Sequence, residues 1–202
     1  MRRFRERAFV LGVDEAGRGP LAGPVSVGAA LVAEGFDVAL EFPGVADSKQ
    51  LSEKKREKLY GMLEVRAALG DVRFAVEFED AAAIDARGIA TVIHDAIARC
   101  VRALAPDAAD VEVLLDGSLK APADYRQRTI IGGDSSVPLI SLASIAAKVR
   151  RDRLMTAFSE TFPEYGFERH KGYGTKAHYE ALAAHGPCAI HRRTFLNEAA
   201  PK

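Results

Sequence analysis

The stretch FVLGVDEAGRGPLAGPVSVGAALV, residues 9 to 32, gives the strongest indication of the fold. Its apolar start leads into two adjacent carboxylates, Asp14 and Glu15, and a Gly-Arg-Gly-Pro turn then leads into a second apolar run, residues 25–32. This order predicts a buried strand, an acidic corner, a tight turn and a second strand. Because a charge cannot be left unpaired inside a core, the two acids at the strand end predict a cationic partner there.

The acidic corner raises a question of geometry. Neighbouring residues on a regular strand point to opposite faces of the sheet, so Asp14 and Glu15 can serve one site only if the chain bends or bulges there. Gly17 and Gly19 favour such a bend. Arg18, between them, would present its guanidinium and the neighbouring N–H groups to an anionic ligand. The alternative is a surface turn in which the acids pair with Arg18.

Composition sets the size of the protein and the range of its partners. The 202 residues, 48% of them hydrophobic, predict one domain, with a core of about 8–160 and a helical C-terminal part of about 161–202. The 28 Lys and Arg residues balance the 28 Asp and Glu residues, so net charge gives no argument for nucleic acid, membrane or an acidic substrate.

Neither cysteine spacing nor the N-terminus indicates secretion. Cys100 and Cys188 lack C-x-x-C and Cys/His zinc spacings, and Cys100 is expected in the core. Asp14 interrupts the first apolar run too early for a signal peptide, and no apolar stretch is long enough to span a bilayer. We therefore expect a soluble, cytoplasmic protein without a membrane partner.

The remaining chain alternates strands and helices, which predicts a mixed α/β sheet with helices on its faces. Residues 34–46 are expected to form a loop or short strand. A helix begins within residues 47–63, capped by Asp47, Ser48 or Ser52. Lys49, beside the helix-start amides, is well placed for a phosphate. The basic residues that follow, Lys54, Lys55, Arg56 and Lys58, are expected to form a solvated face.

Further elements carry two more acids. A half-buried strand over 72–78 and an amphipathic helix over 88–105 come first. A buried strand over 111–118 then delivers Asp116, and a shorter strand over 129–131 runs into a glycine-rich turn that holds Asp134. Two strands that each end in an acid are more informative than either alone.

The last third of the chain is basic and aromatic. A long helix over 136–162 is predicted to turn Lys148 and three arginines, Arg150, Arg151 and Arg153, largely outward. Ser144 and Lys148 share a face, but their spacing is not the Ser-x-x-Lys of acyl-transfer enzymes. The loop 162–175 is followed by a short helix from Thr175 to before Gly186 and by HRRTF at 191–195. Basic residues alternate with aromatic residues in these segments, a pattern that favours binding to sugar-phosphate backbones.

The acids together indicate a metal centre. An all-oxygen cluster of four acids, without His or Cys, selects a hard divalent ion, Mg²⁺ or Mn²⁺, rather than zinc. Its members would be Asp14, Glu15, Asp116 and Asp134. Two such ions about 3.5 to 4 Å apart can activate a water and stabilise a leaving oxygen, which points to a phosphodiesterase.

Six motifs support a family resemblance. DEAGRGPLAGPV, DSKQLS, LLDGS, GGDSS with the following LASIAAKVRRDRLM, HKGYGT and HRRTF resemble, in the same order, the motifs of ribonuclease HII, the type 2 ribonuclease H family. The resemblance covers nearly the whole chain. It implies a ribonuclease H-like fold: a central mixed five-stranded sheet flanked by helices, and a mostly helical C-terminal extension that helps hold the duplex.

The resemblance also implies roles for individual residues. It assigns metal binding and catalysis to Asp14, Glu15, Asp116 and Asp134. Substrate contacts fall on Gly17, Arg18 and Gly19 at the ribose 2′-OH and adjacent phosphate, on Tyr173 at the sugar next to the RNA–DNA junction, and on Lys49, Ser144 and Lys148 near phosphate. A protein that reads the 2′-OH distinguishes RNA from DNA.

The implied activity is hydrolysis of the RNA strand of RNA/DNA hybrids and incision of duplex DNA 5′ to an embedded ribonucleotide, leaving 3′-OH and 5′-phosphate ends. The resemblance implies Mn²⁺ or Mg²⁺, two ions with substrate, and a monomer. The segment around Asp134 departs from the commoner small-residue pattern, and Pro138 and Leu139 could alter the start of the helix. The tail RTFLNEAAPK has no obvious sliding-clamp motif, so no strong clamp interaction is expected.

Two rival functions fit less well. A non-catalytic nucleic-acid binder could use the same basic loops, but it needs no clustered acids, and close carboxylates without metal would repel phosphate. A phosphotransferase would read GRGPLAG as a phosphate loop, but the Gly-Lys-Ser/Thr of a P-loop is absent.

Overall fold

The computed structural model describes residues 8–45 and 51–199. At its centre is a five-stranded sheet in the order β3-β2-β1-β4-β5. The strands are β1 Phe9–Ala16, β2 Val25–Ala33, β3 Val72–Glu79, β4 Val111–Asp116 and β5 Arg126–Ile130. β2 is antiparallel to both β1 and β3, whereas β4 is parallel to both β1 and β5. The mixed five-stranded sheet that the resemblance implies is therefore confirmed.

Helices cover the sheet and follow it at the C-terminus. The described helices are α1 Val38–Glu41, α2 Glu53–Leu69, α3 Ala81–Arg87, α4 Ile89–Leu104, α5 Gly133–Ser136, α6 Pro138–Thr161, α7 Phe167–His170, α8 Lys176–His185 and α9 Arg193–Ala199. None of these helices has the length and apolar character needed to cross a bilayer.

Strand alternation divides the core into two layers. On one face, Leu11 and Val13 of β1 pack with the corresponding residues of β2 and β4 against α4. On the other face, α2 and α6 form a second apolar cluster. The even-numbered residues of β1 therefore point toward α6, because successive side chains on a strand alternate.

Glycines let α6 approach the sheet closely. A Cβ on Gly28 would lie 2.1 Å from the carbonyl oxygen of Ala143, and one on Gly12 would lie 2.7 Å from the carbonyl of Leu139. Both distances are far shorter than a van der Waals contact, so these two strand positions accept no side chain. The close packing brings the polar residues of α6 next to the end of β1.

Several sequence predictions are confirmed. The strand over 72–78 and the helix over 88–105 are β3 and α4 within a residue at each end. Ser52 caps α2 by accepting a hydrogen bond from the Lys55 N–H. Asp47, Ser48 and Lys49 lie outside the described residues. Cys100 is fully buried, as expected.

Other predictions are wrong. Residues 38–41 form a short helix, not a loop or strand, because Asp37 caps it by accepting from the Leu40 N–H. The strand predicted over 129–131 begins at Arg126, where parallel pairing with β4 starts. Arg56 is half-buried and donates to the Leu51 carbonyl, so it leaves the solvated face predicted for its neighbours.

Candidate active site

Three aspartates from separate elements meet on the α6 face of the sheet. β1 and β4 run parallel, and their pairing reaches Val13 and Leu115, each one residue before an acid. Asp14 and Asp116 therefore lie side by side, and Asp134 on α5 completes the group. One carboxylate oxygen from each of the three lies within 4.8 Å of the others.

Glu15 does not join this group. β1 continues its regular pairing through Glu15 and Ala16, opposite Val27 and Ser26 of β2, so no bulge turns the side chain. Alternation places Glu15 on the α4 face, where its carboxylate lies 3.4 Å from the guanidinium of Arg18. The bend expected at this point is thus not seen. Metal binding by Glu15 stays a prediction.

Asp134 is held by its own short helix. Gly132 has φ 66, which reverses the chain after β5. The Asp134 N–H donates to an Asp116 carboxylate oxygen at 3.3 Å, and the Ser141 hydroxyl donates to the Asp134 carbonyl at 2.6 Å. Pro138 lies in the first turn of α6, where a missing N–H costs nothing. The unusual sequence after Asp134 therefore leaves this acid beside Asp116.

Two members of the cluster, Asp14 and Asp134, are buried, and Asp116 is half-buried. Asp14 is 3% exposed. Burial raises the pKa of Asp14 to about 8, a hydrogen bond from Ser144 opposes this shift, and repulsion by Glu15 and Asp116 adds to it. A carboxylate so disfavoured in its charged form calls for a cation. Oxygen donors without His or Cys fit a hard divalent ion, so the residues present suit Mg²⁺ or Mn²⁺.

Two buried arginines hold the loop between β1 and β2, residues 17–24. Arg192 donates to the carbonyls of Gly17 at 2.7 Å, Arg18 at 2.9 Å and Gly23 at 2.9 Å. Arg151 donates to the carbonyls of Ala22, Pro24 and Lys171 at 2.8 to 3.2 Å. Both arginines are 0% exposed. The outward orientation predicted for Arg151 is therefore wrong, and Arg192, in the basic segment 191–195, is buried as well.

The other predicted substrate residues within the described chain are Tyr173, Lys148 and Ser144. Tyr173 is 42% exposed. Its ring centroid lies 6.0 Å from Lys148 Nζ and 5.9 Å from the Arg151 guanidinium carbon. Lys148 donates to an Asp152 carboxylate oxygen at 2.5 Å, and burial lowers its pKa while this hydrogen bond opposes the shift. Ser144 is buried and bonds the Asp14 carboxylate, which makes it a support of the acid cluster.

A buried histidine pair that the sequence did not single out supports Tyr173. The Cys188 N–H donates to His191 Nδ1 at 2.9 Å, so a neutral His191 carries its proton on Nε2. His191 Nε2 therefore donates to His178 Nε2 at 3.0 Å, and His178 Nδ1 donates to the Tyr173 carbonyl at 3.0 Å. Burial lowers the pKa of His191 to about 4, and repulsion by His178 adds to this shift. Both rings are therefore neutral at pH 7.

The fold is a mixed five-stranded sheet, and two of its adjacent parallel strands end near an aspartate. A third aspartate comes from a following helix. This combination defines a nuclease of the ribonuclease H type. The family model for ribonuclease HII matches residues 11–198. Ribonuclease HII from Geobacter metallireducens is 47% identical over 188 residues, covering 92% of this chain and 83% of the relative. That from Bacillus subtilis is 42% identical over 193 residues, covering 95% and 71%.

Two solved structures of ribonucleases have a similar fold. RNase HII in its PCNA complex from Archaeoglobus fulgidus gives a TM-score of 0.74 at 26% identity, covering 92% of this chain and 94% of that one. Bst-RNase HIII in complex with Mn²⁺ shares the fold, with a TM-score of 0.63 at 20% identity over 98% of this chain and 72% of that one. The chain belongs to the ribonuclease HII family. It is a metal-dependent endoribonuclease that acts on RNA/DNA hybrids.

Proposed function

We propose that this endoribonuclease also incises duplex DNA 5′ to an embedded ribonucleotide, leaving 3′-OH and 5′-phosphate ends. The proposal rests on one observation, the close group of Asp14, Asp116 and Asp134 beside the glycine-rich loop that the family resemblance assigns to the 2′-OH. A reader of a single 2′-OH needs one ribonucleotide, not a long hybrid.

Asp14, Asp116 and Asp134 would hold the divalent ion, with Glu15 as a further predicted ligand and a second ion expected with substrate. Mn²⁺ is supported by the RNase HIII relative that was solved with it. A bound divalent ion supplies Lewis-acid stabilisation of the attacking and leaving oxygens of a phosphodiester.

The chain's own residues orient the substrate. The Ser144 hydroxyl fixes the Asp14 carboxylate. Arg18 has a side chain that is 51% exposed, so its guanidinium can meet a phosphate next to the ribonucleotide. Tyr173, with its ring exposed beside Lys148, can pack against the neighbouring sugar. Lys49 is kept as a predicted phosphate contact.

A non-catalytic binder is the alternative, and the electrostatics disfavour it. Asp14 is buried beside other carboxylates, and such a group without a cation repels phosphate instead of binding it. A monomer, action in the cytoplasm and the lack of strong clamp binding remain predictions. The Archaeoglobus fulgidus relative forms a complex with PCNA, and the tail of this chain has no obvious motif of that kind.

Cleavage of duplex DNA that contains one ribonucleotide tests the proposal. We expect incision 5′ to the ribonucleotide with Mn²⁺ or Mg²⁺, none with EDTA, and none of the all-DNA duplex. Asp116→Asn should abolish cleavage, whereas Glu112→Gln, a carboxylate on the same strand outside the group, should retain it. The proposal is contradicted if Asp116→Asn cleaves as well as the wild type. It is also contradicted if the wild type leaves the ribonucleotide-containing duplex intact with both Mn²⁺ and Mg²⁺.

A further inference from the structure

The two peptide groups of the Gly17–Gly19 segment have the same fixed orientation. Arg192 donates to the carbonyls of Gly17 and Arg18 from two different nitrogens of its guanidinium, at 2.7 and 2.9 Å. A guanidinium is a rigid planar fork, so two neighbouring carbonyls bound to it must both face it.

The opposite edge of these peptides is thereby exposed. No cis peptide bond occurs in the described chain, and in a trans peptide the N–H points away from the carbonyl of the same group. The N–H groups of Arg18 and Gly19 therefore point away from Arg192, and both residues are exposed to solvent. Neither donates a hydrogen bond to any described residue. Two adjacent amides that face outward, with no partner among the described residues, form a receptor for a hydroxyl or phosphate oxygen.

From this geometry we propose that Arg192 is a positioning residue for ribonucleotide recognition, because it aims the Arg18 and Gly19 amides at the substrate while it touches no substrate itself. The inference rests on the proposed function of the Gly17–Gly19 segment. It gives a role in specificity to a residue about 170 positions away in the sequence.

The burial of Arg192 suits this role. The guanidinium donates to backbone carbonyls, including that of Gly23 at 2.9 Å. Desolvation lowers the pKa of Arg192 to about 9, and repulsion by Arg151 adds to this shift. The group stays charged at neutral pH, so its positive charge also lies directly behind the two amides.

A competition assay separates positioning from general stability. Cleavage of a labelled RNA/DNA hybrid with Mn²⁺ is measured for the wild type and for Arg192→Lys, which keeps the charge but loses the fork. An all-DNA duplex of the same sequence serves as the competitor. We expect the KM for the hybrid to rise about tenfold, as for one or two lost oriented hydrogen bonds, with the inhibition constant of the DNA duplex unchanged.

The matched control is Tyr125→Phe, which removes a buried hydroxyl that donates to the Ala105 carbonyl at 2.5 Å, far from the loop. This variant should lose stability without a change in KM. An unchanged KM in folded Arg192→Lys, or equal rises in KM and in the inhibition constant, would overturn the inference. Failure of the wild type to cleave the hybrid would instead overturn the activity itself.

A second measurement needs no variant, in case Arg192→Lys does not fold. Amide hydrogen exchange of the wild type in EDTA should be fast at Arg18 and Gly19 in the free protein. It should slow on binding the hybrid but not on binding the DNA duplex. Slow exchange of both amides in the free protein would show that they face inward, contrary to the inference.

Discussion

Burial disfavours the charged form of Asp14, and a bound metal ion would stabilise that form. Its pKa is raised to about 8 chiefly by desolvation, so the folded protein without metal favours the protonated form. An acid whose pKa is higher in the folded than in the unfolded state weakens the fold as pH rises from about 4 through 8. The residue that would bind the metal thus destabilises the protein that lacks it.

We therefore predict that Asp14→Asn raises the melting temperature in EDTA at pH 9 by several degrees and changes it little at pH 4. The reason is that Asn removes the buried charge and no longer titrates. Thermal unfolding from pH 4 to 9 measures the difference between variant and wild type. Two parallel curves would show that the Asp14 carboxylate is not strained by burial.

Tyr173 invites a test against a second exposed tyrosine. Tyr173 is 42% exposed and Tyr179, on α8, is 40% exposed. If Tyr173 packs against the junction sugar, Tyr173→Ala should lower cleavage at a single ribonucleotide by tenfold or more, the cost of losing about 1–3 kcal/mol of stacking. Thermal stability should change little, and Tyr179→Ala should cleave normally. Equal activity of wild type and Tyr173→Ala would remove the proposed contact.

At the scale of the element, α6 depends on glycines in the sheet beneath it. Gly28 faces α6, and a Cβ there would lie 2.1 Å from the Ala143 carbonyl oxygen. A Cβ on Gly61, inside α2, would meet no side chain and no neighbouring element within 4 Å. Replacing glycine by alanine should therefore change the stability of the protein in opposite directions at Gly28 and Gly61.

Gly28→Ala should destabilise the protein by about 2 kcal/mol or more, because overpacking displaces α6. Gly61→Ala should stabilise it by up to about 1 kcal/mol, since alanine loses less backbone entropy in a helix. Urea unfolding of both variants measures the two values. A Gly28→Ala protein as stable as the wild type would mean that α6 does not lie so close to β2.

The regular elements could be predicted from sequence because their signals are local. α4 shows helical spacing from Ile89 to Leu104, and β3 alternates over its length. The short helices α3 and α7 could not be predicted, since 7 and 4 residues give too few turns for a periodic pattern. Their starts depend on an Asp80 cap and on Gly166 in the left-handed region.

The acids of the site could be predicted, but not their supports. Strands that end in Asp14 and Asp116 are visible as apolar runs before a charge. The burial of Arg151 and Arg192 could not be predicted from the sequence, because an arginine is normally expected at the surface. Here backbone carbonyls from distant segments surround each guanidinium. Glu15 fell on the other face because β1 stays regular where a bend was expected.

At the scale of the whole molecule, the C-terminal part covers the loop between β1 and β2. The N–H of Leu21 donates to the Gly172 carbonyl, that of Gly23 to Ile190, and that of Arg192 to Leu21. These backbone bonds join segments about 150 to 170 residues apart. Stability of the C-terminal part and the shape of the substrate loop should therefore change together.

The buried histidines make that stability sensitive to acid. The pKa of His191 is about 4 in the fold and about 6.5 when unfolded, so between these values the unfolded chain binds the extra proton. Stability should fall as pH drops from 6.5 to 4, by on the order of 3 kcal/mol. His191→Gln, which does not titrate, should flatten the slope, and His185→Gln, at an exposed position, should not. Equal slopes in all three proteins would contradict this prediction.

Calorimetric titration of Mn²⁺ into the protein without nucleic acid measures whether Asp14, Asp116 and Asp134 form a metal site. We expect the wild type and Glu112→Gln to bind Mn²⁺, and Asp14→Asn, Asp116→Asn and Asp134→Asn each to lose most of that binding, because the three carboxylates lie within reach of one ion. Binding by all three Asn variants as tight as that of the wild type would contradict this expectation.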